Sequence, residues 1–183
     1  GQLMKGESVL VHAAAGGVGL FAVQLAKLFG AGKVIATAST TEKLELAKCV
    51  GADAGVNYTD FNWPEQVMHH TNGKGVDVVL EMVGGDIFNK SLKLLGNFGR
   101  LVIYGRAGLE STNMDPSVLM QRNTSVIGFW LVRIMQRPDL YRESIEELLR
   151  YIGRGDLKVI IGETFKLEDA RLAHEKMEAR QTT

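Results

Sequence analysis

The chain has 183 residues, 45% of them apolar and 23% charged, and its 21 basic and 21 acidic side chains give a formal net charge of zero. That length supports one domain with a real core, and neutrality removes the electrostatic reason to expect nucleic acid or an anionic membrane as partner. A single cysteine, Cys49, excludes a disulfide framework and a multi-cysteine zinc site within the chain.

The predicted elements alternate between strand and helix. Val9 to Val11 is a short apolar run of the kind buried on both faces of a sheet. Gly17 to Phe29 carries Val18, Phe21, Ala22, Leu25, Leu28 and Phe29 at helical spacing, and Gly30 ends it. Val34 to Ala36 is the second strand, Thr41 to Val50 the second helix with Gly51 as its stop, and Ala54 to Tyr58 the third strand. A helix with Pro64 in its first turn closes at Asn72-Gly73. Val76 to Met82 is a strongly apolar fourth strand, and Gly84-Gly85 opens a helix to about Leu95. Leu101 to Tyr104 and Ser125 to Leu131 are strands five and six, followed by helices over Pro138 to Ile152 and Glu168 to Arg180.

This alternation predicts a parallel sheet covered on both faces. Strands one to three and four to six form two similar units, each an apolar strand running into paired glycines. The expected fold class is α/β: a doubly wound, three-layer α/β/α Rossmann sheet of order 3-2-1-4-5-6. No linker or low-complexity segment divides residues 1–183. The chain starts its first strand within eight residues and stops just after a helix, so it is expected to be a fragment of a longer protein. The opening GQLMKGESVLV lacks the regions of a signal peptide, and no run approaches the ~18 apolar residues of a membrane span. A reducing, cytoplasmic setting is expected.

Between the first strand and helix the sequence reads VHAAAGGVG. The dinucleotide fingerprint G-x-G-x-x-G becomes Ala14-x-Gly16-x-x-Gly19, with alanine in the first glycine position. Gly16 would let the backbone approach a pyrophosphate, and Gly19 would let the helix pack closely on the sheet. Amides near Gly17 and Val18 would face the phosphates. A tight strand-to-helix turn also uses glycine for geometry alone; placement at the first strand of a βαβ unit favours the nucleotide. The end of strand two, Thr37-Ala38-Ser39-Thr40, has no acid for a ribose 2′-hydroxyl, and Lys43 follows in the next helix. Ser39, helix amides and Lys43 suit a 2′-phosphate, which favours NADPH over NADH. Ser39 and Glu42 also fit a capping box, with Lys43 a solvated charge; the two readings are compatible.

VLVHAAAGGVG, ATASTTEKLELAKCVGADAGVNY, VDVVLEMVGG, GRLVIYG and SVIGFWL together resemble the zinc-independent quinone oxidoreductases of the medium-chain dehydrogenase/reductase superfamily, which include zeta-crystallin. The resemblance runs from Lys5 to Thr183 and covers the cofactor domain alone. It implies a missing N-terminal catalytic domain and a missing final strand. It further implies that Ala15, Gly16, Gly17 and Val18 hold the pyrophosphate, that Ser39 and Lys43 hold the 2′-phosphate, and that Tyr58 lies beside that phosphate and the adenine. Gly84 and Gly85 would sit near the ribose and nicotinamide, flanked by Tyr104, Gly105 and Arg106 and by Phe129, Trp130 and Leu131. Strand six would be a dimer edge. Glu81 stands where many relatives have aspartate, which is read as neutral. The implied reaction is hydride transfer from NADPH to a quinone or other α,β-unsaturated carbonyl, with no metal. Catalytic residues would lie mostly in the missing domain, so none is assigned here. An enoyl reductase, free-standing or a polyketide synthase module, would share this cofactor domain. A non-catalytic nucleotide-binding or crystallin-like structural protein is the rival from another class.

Other features read as structural. Cys49 is expected in core or half-buried packing. His69-His70 is expected at a helix end, because adjacent helical residues diverge and no second pair of ligands is present. His12 is expected to make a structural hydrogen bond. Arg154-Gly155-Asp156 reads as a turn, and Met114, Met120 and Met135 as core. Trp130 fits a core position and a cofactor-flanking one equally.

Overall fold

The structure is a computed structural model that describes residues 1–179, 181 and 182; the expected helix end at Arg180 lies outside the described residues, as does Thr183. Six strands form one parallel sheet: β1 (Ser8–Val11), β2 (Lys33–Ala38), β3 (Ala54–Asn57), β4 (Val76–Glu81), β5 (Leu95–Ile103) and β6 (Ser125–Gly128). Their order is β3-β2-β1-β4-β5-β6, as expected for a doubly wound sheet. β1 sits in the middle, with Val9 opposite Val34 of β2 on one side and Val78 of β4 on the other. The α-helices among the described residues are α1 (Gly17–Leu28), α2 (Thr41–Cys49), α3 (Trp63–His70), α4 (Gly85–Lys93), α5 (Leu131–Met135), α6 (Pro138–Arg154) and α7 (Ala170–Glu178).

Alternation along the strands builds two cores. Val9, Val11, Val34, Ala36 and Val78 meet Val23, Ala26 and Ala47 of α1 and α2. Leu10, Ile35, Val79 and Leu101 meet Trp63, Val67 and Phe88 of α3 and α4. The first layer is made of valine and alanine, so α1 lies close to the sheet; the second is filled by larger side chains.

The buried face of α1 differs from the one its large apolar residues predict. Gly19, Leu20, Val23, Gln24 and Ala26 are buried, whereas Val18 is 64% exposed and Leu28 and Phe29 are also exposed. The small residues permit the close approach, and Val18, Leu28 and Phe29 face outward, where Phe29 meets Tyr151 of α6 edge to face. Gln24 is buried because its amide pairs with a distant backbone. Its Oε1 accepts the Lys158 N–H at 2.8 Å, and its Nε2 donates to the Lys158 carbonyl at 3.1 Å.

Further boundaries move for local reasons. β5 begins at Leu95, six residues before its apolar run, because Leu95 pairs with Val76 ahead of a register shift in β4. Within this first half of β5, Phe98 is left-handed (φ 61°). β6 stops at Gly128 and the chain turns into α5. Gly155 (φ 79°) ends α6 as the expected turn. Cys49 is exposed, since the buried stripe of α2 is Leu44 and Ala47. Met114 packs against the core, but Met120 and Met135 are exposed. Trp130, at 63% exposure, is not a core residue.

Candidate functional site

The C-terminal ends of the strands open onto a cleft of about 690 Å³. One wall is the turn after β1. Ala13 is left-handed (φ 49°), so the strained position is one residue before Ala14, where the fingerprint has its first glycine. The Ala13 carbonyl accepts the Gly16 N–H at 3.0 Å, and the Ala14 N–H donates to the Thr37 carbonyl of β2 at 3.0 Å. These bonds fix the turn against the sheet.

The three glycines have separate reasons. A Cβ on Gly19 would overlap the Ala13 carbonyl and lie 2.7 Å from Ala14 Cα, so Gly19 is required by packing. A Cβ on Gly16 would meet only the Ala13 oxygen at 3.3 Å, and on Gly17 it would meet nothing within 4 Å. Packing inside the protein therefore does not call for glycine at 17. Gly16 is the N-cap of α1 and supplies no capping side chain, which leaves first-turn amides for an outside acceptor. A cradle without side chains at a helix start inside a cleft fits a pyrophosphate.

Ala38, Ser39, Lys43 and Tyr58 line the same cleft where β2 and β3 end. The N-cap of α2 is Thr40, whose Oγ1 accepts the Lys43 N–H at 3.3 Å. The expected Ser39–Glu42 box is thus shifted by one residue, because the helix starts at Thr41, and Ser39 stands outside the cap. The Tyr58 N–H donates to the Ala38 carbonyl at 3.1 Å and holds Tyr58 beside Ser39.

His12, fully buried, lines the floor of the cleft. Its Nδ1 is 2.8 Å from Thr37 Oγ1 and its Nε2 2.7 Å from Ser91 Oγ, and its ring meets Trp63 edge-on. Burial pushes its pKa down to about 4. The neutral ring pins β1, β2 and α4 together, the structural role expected of it. His69 and His70 end α3, as expected.

The turn after β4 forms the other half. Met82, Val83 and Ile87 line the cleft together with Ala107. Glu81, the last residue of β4, is buried, and its Oε1 accepts the Val83 and Gly84 N–H groups at 2.7 and 3.0 Å. The Ala107 and Gly108 N–H groups donate to the Met82 and Val83 carbonyls, both at 2.8 Å, and zip the turn after β5 onto it. Gly84 and Gly85 have positive φ (87° and 55°), and Thr112 Oγ1 accepts the Gly85 N–H.

Of the residues singled out in the sequence, His12, Ala15, Gly16, Ser39, Lys43 and Tyr58 line the cleft. Gly17 and Val18 begin α1 at its rim. Gly84, Gly85, Tyr104, Gly105, Phe129 and Trp130 lie at the same end of the sheet but outside the lining. The sequence reading missed Met177, Glu178 and Thr182, which close the cleft from the end of the chain. Contact over that sequence separation leaves no local signal. Among the described residues no three His, Cys, Asp or Glu side chains gather as metal ligands.

This fold and cleft define a dinucleotide-binding α/β domain, and comparison with known proteins narrows the class. Residues 17–150 match the family model described as zinc-binding dehydrogenase, and the chain belongs to that family. Within it, the chain is a quinone oxidoreductase-like member. It is 37% identical over 179 residues to quinone oxidoreductase-like protein 2 of Bos taurus, a match covering 97% of this chain and 51% of that protein. The quinone oxidoreductase of Thermus thermophilus, solved also in complex with NADPH, superposes with a TM-score of 0.88 at 37% identity, covering 100% of this chain and 57% of that one. The CurK enoyl reductase gives 0.84 at 34% identity, covering 97% and 53%. The chain spans about half the length of the curated relatives it matches.

Proposed function

We propose that the chain is the NADPH-binding portion of a longer oxidoreductase that transfers hydride to a quinone or another α,β-unsaturated carbonyl. The observation that carries this reading is the cleft itself: a glycine cradle at the start of α1 shares one cavity with Ser39, Lys43 and Tyr58. The cradle suits the pyrophosphate. Lys43 supplies a positive charge where a 2′-phosphate would sit, at a strand end that lacks the acid used for a 2′-hydroxyl. The NADPH complex of the Thermus relative supports the same choice.

When bound, NADPH supplies the hydride. The domain's part is to hold the dinucleotide rigidly along the strand ends, with Ala15, Gly16, Gly17 and Val18 at the pyrophosphate. Gly84, Gly85, Tyr104, Gly105, Phe129 and Trp130 are assigned to the nicotinamide end. An acceptor carbon takes the hydride, and a proton from solvent completes the reduced product. Substrate shaping is assigned to the part of the parent outside this chain, so the chain alone should bind cofactor and scarcely turn over. We further assign the parent to the cytoplasm and to a homodimer joined through β6.

A second reading, an enoyl reductase, draws on the similarity to CurK. The two are separated by assaying the complete parent enzyme for NADPH oxidation with a simple quinone and with an enoyl thioester. Turnover of the quinone is the expected result. Exclusive turnover of the thioester would assign the enoyl reductase instead.

A further inference from the structure

Glu81 is the polar group whose surroundings the cofactor reading leaves unexplained. It is 0% exposed, and its Oε1 accepts two backbone N–H groups. Its Oε2 is buried with no hydrogen-bond partner, and none of the ion pairs among the described residues includes it. Buried carboxylate oxygens rarely go unpaired. The bonds that tie the turn after β4 use one carboxylate oxygen and leave the other without a partner. The second oxygen and the negative charge need another account.

Their location supplies one. Glu81 ends β4, the strand that opens the second half of a doubly wound sheet, the half that would hold the second nucleotide. The two residues after it, Met82 and Val83, line the cleft. The neighbouring strand end senses the same charge: Tyr104 has its pKa pushed up to about 12, by burial first and by Glu81 second. Arg106, packed over Gly84, is exposed to solvent, and Glu110, over Gly85, adds negative charge. The nicotinamide ring carries a positive charge when oxidised and none when reduced. A Glu81 carboxylate near a bound ring would favour the oxidised ring.

Building on the cofactor reading, we propose that Glu81 is a positioning residue that also acts electrostatically. It biases the bound cofactor toward its oxidised, cationic form and so makes the reduced form a stronger hydride donor. Both forms share every contact except those of the ring, so the ratio of their dissociation constants reads this bias. Unit charges roughly 10 Å apart at an effective dielectric of ~20 shift an equilibrium on the order of tenfold. For a two-electron couple tenfold corresponds to ~30 mV.

The test titrates this chain with NADPH, read by nicotinamide fluorescence, and with NADP⁺, read by calorimetry, for the wild type, Glu81→Gln and Glu81→Asp. The ratio Kd(NADP⁺)/Kd(NADPH) should rise about tenfold in Glu81→Gln and stay near the wild-type value in Glu81→Asp, which keeps the charge. An unchanged ratio in Glu81→Gln, even with both affinities weakened together, overturns the proposal and leaves Glu81 as a holder of the turn. If Glu81→Gln does not fold, the wild type decides. NADP⁺ binding as tightly as NADPH supports the bias; NADPH binding tighter by about tenfold or more contradicts it. A wild-type chain that binds neither form overturns the cofactor reading and this inference with it.

Discussion

His12 links the chemistry of one side chain to the stability of the fold. Its folded pKa of about 4 lies below the ordinary value of 6.5, which applies when the chain is unfolded. Stability from the neutral ring is therefore full above pH 6.5 and is lost as pH falls toward 4, at up to about 1.4 kcal/mol per pH unit. Urea unfolding measured at intervals from about pH 7.5 down to about pH 5 should show this slope, and His12→Asn should flatten it. Below that window Glu7 adds its own loss, because its bidentate partner Arg100 holds its carboxyl below the usual range. Gly19 allows an equally local prediction. Gly19→Ala places a methyl against Ala14 Cα and should cost about 1–3 kcal/mol of stability, measured by urea midpoint, and weaken cofactor binding through the displaced turn.

Among the elements, α1 shows what a helical pattern conveys and what it conceals. Its existence, its start at the glycines and its end near Gly30 are legible, because caps and breakers act locally. Its buried face is not, because apolar side chains lie all around it and the choice rests with neighbours far along the chain. The sheet takes the small residues, and α6 takes Phe29. Gln24 falls between the apolar positions of the helical pattern, yet it clamps Lys158 through both ends of its amide. Gln24→Leu should leave the Lys158 N–H and carbonyl unpaired and cost about 1–3 kcal/mol, with hydrogen exchange of residues 157–161 rising before that of the strands. Strand five is legible only from Leu101, because its first half is interrupted by a left-handed Phe98.

On the scale of the whole molecule, sheet order and the half of the cleft built by β1, β2 and β3 follow from short motifs whose glycines, hydroxyls and Lys43 sit within about fifty residues of one another. The wall formed by Met177, Glu178 and Thr182 was not legible, since only folding brings it there. Among the described residues β6 pairs with β5 alone and leaves one edge open, beside exposed Phe129, Trp130, Leu131 and Val132. If that edge joins two copies, the chain should sediment as a dimer, and lysines at the exposed positions Ser125 and Gly128 should give a folded monomer whose own unfolding free energy changes by no more than about 0.5 kcal/mol.

Whether the glycine turn and Lys43 form one dinucleotide site selective for a 2′-phosphate is tested most directly by a paired fluorescence titration with NADPH and NADH, repeated with Lys43→Glu. NADPH should bind at least about tenfold tighter than NADH, and the Lys43→Glu variant should lose that preference while still binding NADH. Equal binding of the two by the wild type, or a preference that survives in the variant, would contradict a 2′-phosphate site at Lys43.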